Sequence, residues 1–135
     1  MSLLKGSLQS PRIGIEIDVQ GDPVIHGYPN EFAQVLLNIV INAKDILAER
    51  GIAVPKVVIS AFRDGSSAVV TVADNGGGIP EEFIGKIFDP YFTTKGPQLG
   101  TGIGLFMSKS IIERNMGGRL MVRNTADGAE FRIEV

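Results

Sequence analysis

Three groups of residues in this chain have types and spacings suited to holding a small polar ligand. The first is Asp74-Asn75-Gly76-Gly77-Gly78-Ile79-Pro80, a carboxylate followed by a glycine run. The second is Gly100-Thr101-Gly102-Ile103-Gly104-Leu105, which leads straight into FMSKSIIERNM. Glycine tolerates positive φ and lets backbone N–H groups approach a ligand closely, so clusters of this kind at element ends contact something small and polar. The helical spacing that follows sets the orphan N–H donors of a helix start beside the second cluster, and a phosphate is their natural guest. The third group is Gln34, Asn38, Asn42 and Asp45, which share one side of a helix whose other positions are mostly apolar. Solvated helix faces usually carry Lys and Glu. Asparagine and aspartate are poor helix formers, so keeping them mid-helix points to a polar contact rather than to a wet surface.

The familiar phosphate and metal motifs fail on their defining residues. No G-x-x-x-x-G-K-[ST] run exists, so there is no Walker A loop. A dinucleotide fingerprint starting at Gly100 needs a third glycine where Leu105 stands. A calcium loop starting at Asp74 needs a glutamate where Gly85 stands. The absence of cysteine removes disulfides, thiolate metal sites and a cysteine nucleophile, and is compatible with a reducing cytoplasm. A net charge of -2 with acids and bases interspersed leaves no footprint for DNA or RNA. No signal peptide or long apolar span is visible, so a soluble chain without direct membrane contact is expected.

The elements that must position these groups follow from periodicity. At 135 residues the chain is long enough for one core and too short for two. Residues 1–12, ending in Ser-Pro, read as a linker or cut end, and residues 13–135 as the domain. IGIEIDV (13–19) alternates like a half-buried strand, and the Gly21-Asp22-Pro23 turn leads to VIHGY, where the lone His26 reads as structural. Pro29-Asn30-Glu31 opens a long helix closed at Gly51, with Phe32, Val35, Leu36, Ile39, Val40, Ala43, Ile46 and Leu47 as its core face. KVVISAFRD and AVVTVAD make a hairpin across Gly65-Ser66-Ser67 and deliver Asp74 to a strand end. A short helix runs from Pro80 to Phe88. Residues 89–101 form a loop with Thr93, Thr94 and Lys95 as polar contacts. A helix over 102–115 and a closing hairpin across Thr125 to Gly128 complete the chain. This order implies an α/β two-layer sandwich, a mixed sheet backed on one face by helices.

Asn38-x-x-x-Asn42, Asp74-x-Gly76-x-Gly78, FDPYFTTK and GTGIGL, in that order, resemble the N, G1, F and G2 boxes of the sensor histidine kinase ATP-binding domain. Its superfamily includes DNA gyrase, the heat-shock chaperone ATPases and the mismatch-repair ATPases. The resemblance runs from about residue 13 to the C-terminus. It implies the Bergerat fold, a mainly antiparallel mixed sheet with three helices on one face, and it implies ATP and Mg²⁺ as cofactors. Asn42 would place its amide oxygen on Mg²⁺, with Asn38 and Asp45 on the same stripe. Asp74 would accept a hydrogen bond from the adenine exocyclic amine, and Gly76, Gly78 and Ile79 would leave room for the base. Gly100, Thr101, Gly102, Gly104 and Leu105 would meet the phosphates, under a lid carrying Thr94 and Lys95.

The resemblance also suggests a reaction. Superfamily members that hydrolyse ATP carry a glutamate four residues before the metal asparagine; here that residue is Asn38, and a carboxamide cannot serve as a general base near neutral pH. The expected activity is therefore that of a protein histidine kinase, moving the ATP γ-phosphoryl group to a histidine on a separate dimerisation and phosphoacceptor domain. Asn38 and Lys95 are the expected catalytic residues. A response regulator would be the indirect partner, and the site would face the cytoplasm even if the parent is membrane-anchored. The sequence departs from the family in three places. Asp45 stands where many members have a phosphate-pairing lysine, leaving Lys95 and Lys44 as candidate cations. Gly128-Ala129-Glu130 replaces threonines near the base. His26 lacks phosphoacceptor surroundings. A superfamily ATPase, and a serine kinase or regulatory nucleotide-binding domain of the anti-sigma-factor type, are the alternatives. Exposed Phe83, Phe88, Tyr91 or Phe92 would dock the helical partner, although core packing is an equal expectation for Phe83 and Phe88.

Overall fold

A computed structural model describes residues 13–21, 29–90 and 104–135. Its strands are β1 (Gly14–Val19), β2 (Lys56–Asp64), β3 (Ser67–Asp74), β4 (Arg119–Asn124) and β5 (Ala129–Glu134), and its helices are α1 (Pro29–Arg50), α2 (Glu81–Ile84) and α3 (Gly104–Ser110). One sheet holds all five strands in the order β1-β2-β3-β5-β4. Only the β1–β2 pair is parallel, and α1 lies in the crossover between them, as parallel pairing requires. The expected mixed, mainly antiparallel sheet with helices on one face is what the chain forms.

The period-2 pattern of the β-branched strands sorts their side chains. Val57 on β2, Val70 and Val72 on β3, Leu120 on β4, and Phe131 and Ile133 on β5 face the helices and are buried. Val35, Ile39, Ala43 and Leu47 recur at helical spacing on α1 and cover them, joined by Ile112 from beyond α3. The opposite face of β3 buries Val69 and Thr71 under a polar layer. There Arg132 donates to Asp64 and Glu134 at 3.1 and 2.7 Å and lies over the Phe62 ring. α1 ends by a defined device: Gly51 takes φ +62°, its N–H bonds the Ala48 carbonyl and the Ile52 N–H bonds the Leu47 carbonyl.

Several expectations shift. The β2–β3 turn is two residues, Gly65-Ser66, because Ser67 already pairs with Asp64. β1 has the expected alternation but not the burial: Ile17 and Val19 are 70 % and 59 % exposed, since β1 lies at the sheet edge. The helix after Pro80 lasts one turn and continues as successive turns, with Lys86 N–H on Phe83 and Asp89 N–H on Lys86, because Gly85 offers little helical propensity. The helix expected over 102–115 is α3 followed by a π-helical turn, Ile111–Asn115, in which the Met116 N–H reaches the Ile111 carbonyl. The wider turn keeps Ile112 in the core and lets Glu113 accept from Lys109 and from the Leu120 N–H. Phe88 is packed rather than presented, edge-on to Phe131 with a centroid separation of 6.2 Å and with the Lys109 ammonium over its ring. Phe83 is half-buried. Tyr91, Phe92, His26 and residues 1–12 lie outside the described residues.

Candidate nucleotide site

β3 ends at Asp74, on the same face as Val70 and Val72, so the sheet's alternation drives a carboxylate into the layer between sheet and helices. Asp74 is only 7 % exposed. Burial pushes its carboxyl pKa above the ordinary value, opposed by the backbone N–H groups of Gly76 and Ala129 and by the charge of Arg50. The Gly76 N–H donates to Oδ1 at 2.9 Å. A buried carboxylate satisfied chiefly by backbone N–H groups keeps lone pairs for a further donor.

Glycine is needed around Asp74 for the protein's own packing. A Cβ on Gly76 would stand 3.1 Å from Asp74 Oδ1 and 3.2 Å from Ile46 Cγ2. A Cβ on Gly78 would stand 2.9 Å from Asn124 Oδ1, and Gly77 and Gly78 both take positive φ, at +95° and +85°. Gly128, at the far end of the β4–β5 turn, packs so closely that a Cβ would overlap the Asp74 carbonyl. A Cβ at Gly76 or Gly78 would thus crowd Asp74 or Asn124.

The glycine loop is fastened on both sides. Asn124 accepts from the Ile79 N–H at 2.7 Å and donates to the Ile79 carbonyl at 2.8 Å, a two-point clasp on one residue's backbone. Arg50 Nη1 donates to the carbonyls of Gly76 and Gly78 from the last turn of α1. The Gly77 N–H bonds the Asp127 carbonyl, and Asn75 links the Lys56 N–H to the Val54 carbonyl.

The polar stripe of α1 runs between two contacts. Near its middle, Asn38 Nδ2 donates to Ser108 Oγ at 3.3 Å, and Ser108, fully buried, donates to the Gly104 carbonyl at 2.8 Å. At its end, Arg50 reaches the glycine loop. These anchors are twelve residues apart on the chain, or ~18 Å along a helix. Asn42 and Asp45 fall between them and are half-buried. The structure therefore joins Asn38, Gly104 and Leu105 at one end and Asp74, Gly76, Gly78 and Ile79 at the other, with Asn42 and Asp45 along the connecting helix. Thr94, Lys95, Gly100, Thr101 and Gly102 lie outside the described residues.

Arg50, Ser108 and Asn124 escape a reading of sequence. Each acts on a residue far along the chain, and no local spacing marks it. Gly128 was legible, as the glycine of the last hairpin that the resemblance sets near the base.

The arrangement fits an adenine nucleotide: a buried carboxylate with spare acceptor capacity, walled by glycines where a Cβ would be crowded, most severely at Gly128, and joined by a polar helix face to the start of another helix. For a divalent cation, the α1 stripe carries the side-chain oxygens of Asn38, Asn42 and Asp45. Among the described residues no group of three or more His, Cys, Asp or Glu could hold a metal ion.

Comparison with known proteins agrees. Residues 27–135 match the family described as Histidine kinase-, DNA gyrase B-, and HSP90-like ATPase. The chain is 38 % identical over 115 residues to the two-component sensor PprA of Pseudomonas aeruginosa, covering 83 % of this chain and 12 % of PprA. It is 35 % identical over 112 residues to the sensor histidine kinase ZraS of Escherichia coli O157:H7, covering 82 % of this chain and 23 % of ZraS. The chain thus spans less than a quarter of either relative. The catalytic domain of histidine kinase ThkA in a nucleotide-free crystal form superposes with a TM-score of 0.86 at 31 % identity, covering 99 % of this chain and 85 % of that one. ThkA in complex with the response regulator protein TrrA gives 0.79 at 27 % identity, covering 99 % of this chain and 37 % of that chain. Sequence motif, sheet order and relatives converge: the chain belongs to the histidine kinase-, DNA gyrase B- and HSP90-like ATPase family, among the catalytic domains of sensor histidine kinases.

Proposed function

We propose that residues 13–135 bind Mg-ATP between the glycine loop and the start of α3, and present it to a histidine on a separate dimerisation and phosphoacceptor domain. The observation that carries this reading is Asp74, a carboxylate buried at a strand end with acceptor capacity left over. It accepts from the exocyclic amine of adenine, which guanine lacks at that position. A hydrogen bond to a charged group contributes about 1.5 to 3 kcal/mol, or roughly ten- to a hundredfold in affinity.

Bound Mg-ATP supplies the transferable γ-phosphoryl group and the cation that offsets phosphate charge. The chain's own residues orient it. Gly76, Gly78 and Ile79 line the base, Asn42 offers its amide oxygen to the metal, and Asp45 flanks that contact. Gly104 and Leu105 at the start of α3 meet the phosphates; Thr94, Lys95, Gly100, Thr101 and Gly102, outside the described residues, are the further phosphate contacts that the family resemblance implies. Asn38, tied to Ser108, holds the phosphate end of α1 against α3. A carboxamide at position 38 takes no proton, which favours phosphotransfer over hydrolysis. The acceptor domain and a response regulator are the proposed partners, by analogy with ThkA and TrrA.

Calorimetric titration with ATP, ADP and GTP, with and without Mg²⁺, tests the reading. Adenine-selective binding that disappears in Asp74→Ala supports it. A folded chain that binds none of them, or that releases phosphate at steady state without an acceptor domain, overturns the nucleotide or the transferase part respectively.

A further inference from the structure

We propose that Arg50 is a positioning residue for the adenine end of the site, tying the glycine loop to α1 so that the loop keeps the shape that exposes Asp74. The inference rests on the nucleotide reading above and adds a residue that neither motif nor spacing assigns.

The loop from Asn75 to Ile79 has little of its own to hold it. Three successive glycines carry no side chains to pack, and glycine gives up more conformational freedom on ordering than any other residue. Yet Gly77 and Gly78 adopt positive φ together. That pair of rotations brings the carbonyls of Gly76 and Gly78 to the same side, where both accept from Arg50 Nη1. A Cβ on Gly77 would approach Arg50 Nη1 at 3.3 Å, so the guanidinium also fills the ground beneath the turn. Arginine suits this place. The two N–H bonds of Nη1, fixed in the guanidinium plane, meet both acceptors with little further loss of freedom, and the charge complements the carbonyl end of α1.

The far end of the loop is held by Asn124 at Ile79. Between these fastenings the backbone has one conformation, with the Gly76 N–H directed at Asp74 Oδ1. Without Arg50 the Asn124 clasp, the Gly77 N–H bond to Asp127 and the Gly76 N–H bond to Asp74 remain. But the Gly76 and Gly78 carbonyls lose their shared donor, the two positive-φ glycines between these bonds sample more than one shape, and a nucleotide must select the competent one from a mixture. Affinity falls by the fraction of time that shape is populated. Arg50 therefore acts on the ligand through the loop.

The test compares wild type with Arg50→Met, which keeps the aliphatic stem, and Arg50→Lys, which keeps a donor and a charge. ADP affinity is read by calorimetry, amide exchange at Gly76 to Ile79 by NMR, and global stability by urea. The expected result is ADP binding weakened about tenfold in Arg50→Met, as for a loop competent about a tenth of the time. Arg50→Lys recovers most of the loss, and exchange speeds up within the loop while the core strands keep their protection. If wild type binds ADP and Arg50→Met binds it equally well, the inference fails while the nucleotide reading stands. Equal losses in both variants with unchanged loop exchange also overturn it. If wild type binds no ADP, the nucleotide reading fails and takes this inference with it.

Discussion

Gly128, in the β4–β5 turn, and Asp74, at the end of β3, occupy adjoining space: a Cβ on Gly128 would stand 2.7 Å from Asp74 Oδ1 and overlap its backbone carbonyl. The chain therefore sets its buried carboxylate against the only residue type that leaves it room.

Gly128→Ala should be among the more damaging single-methyl changes in the domain. Overpacking typically costs 1 to 3 kcal/mol, and here the clash is with backbone, so about 3 kcal/mol is expected. Urea unfolding measures the loss. Adenine nucleotide binding should fall further than stability alone explains, because Asp74 must move to admit the methyl group.

Asp74→Asn should separate function from stability. Burial raises the folded-state pKa of Asp74, so the folded protein holds that proton more tightly than the unfolded chain. Its contribution to stability then falls as pH rises from the ordinary carboxylate value through the raised one, and is constant beyond. The asparagine variant lacks this loss. Its urea midpoint should improve relative to wild type across that window, while ADP titration shows affinity lowered roughly ten- to a hundredfold.

Glu113 should show the opposite slope. Partial desolvation pushes its carboxyl up, but the Lys109 ammonium, the Leu120 N–H and the charge of Arg119 outweigh it and hold the pKa below the ordinary value. The stability it contributes is present above the ordinary carboxylate value and is lost as pH falls through the depressed one. Glu113→Gln should therefore be less stable than wild type near neutrality, with the gap narrowing in acid. Paired urea titrations of the two proteins check it.

Ser108→Ala removes the hydroxyl that receives Asn38 and bonds the Gly104 carbonyl. The direct cost should be about 1 kcal/mol. With Asn38 released from α3, phosphotransfer should slow several-fold at saturating ATP while ADP affinity changes little. Single-turnover transfer to the isolated acceptor domain, set beside calorimetry, distinguishes the two.

What could be read from the sequence depended on how far apart the cooperating residues lie. The α1 face of Val35, Ile39, Ala43 and Leu47, the strand alternation of β2 and β3, and the arrival of Asp74 at a strand end all follow from spacing within one element. The polar stripe and the glycine clusters were visible for the same reason. Arg50 acts on Gly76 and Gly78, and Asn124 on Ile79 across 45 residues; no periodicity connects such pairs. The exposure of β1 was hidden because alternation tells which side chains share a face, not whether anything covers that face. The π-helical turn at Ile111–Asn115 was hidden because the contact that accompanies it, Glu113 with the Leu120 N–H, belongs to the tertiary structure.

The two-residue turn at Gly65-Ser66 lies at the opposite end of β3 from Asp74, eight strand residues away, roughly 25 Å. Surface turns ordinarily tolerate insertion. Here the pairing of Asp64 with Ser67 at the turn carries through to Val57 with Asp74, so the count of residues in the turn is also the setting of the strand. A slip of one residue would turn Asp74 to the outer face and bring Ala73 inward, replacing the buried carboxylate with a methyl group. Insertions and deletions at this remote surface position are therefore filtered by ligand recognition as well as by folding.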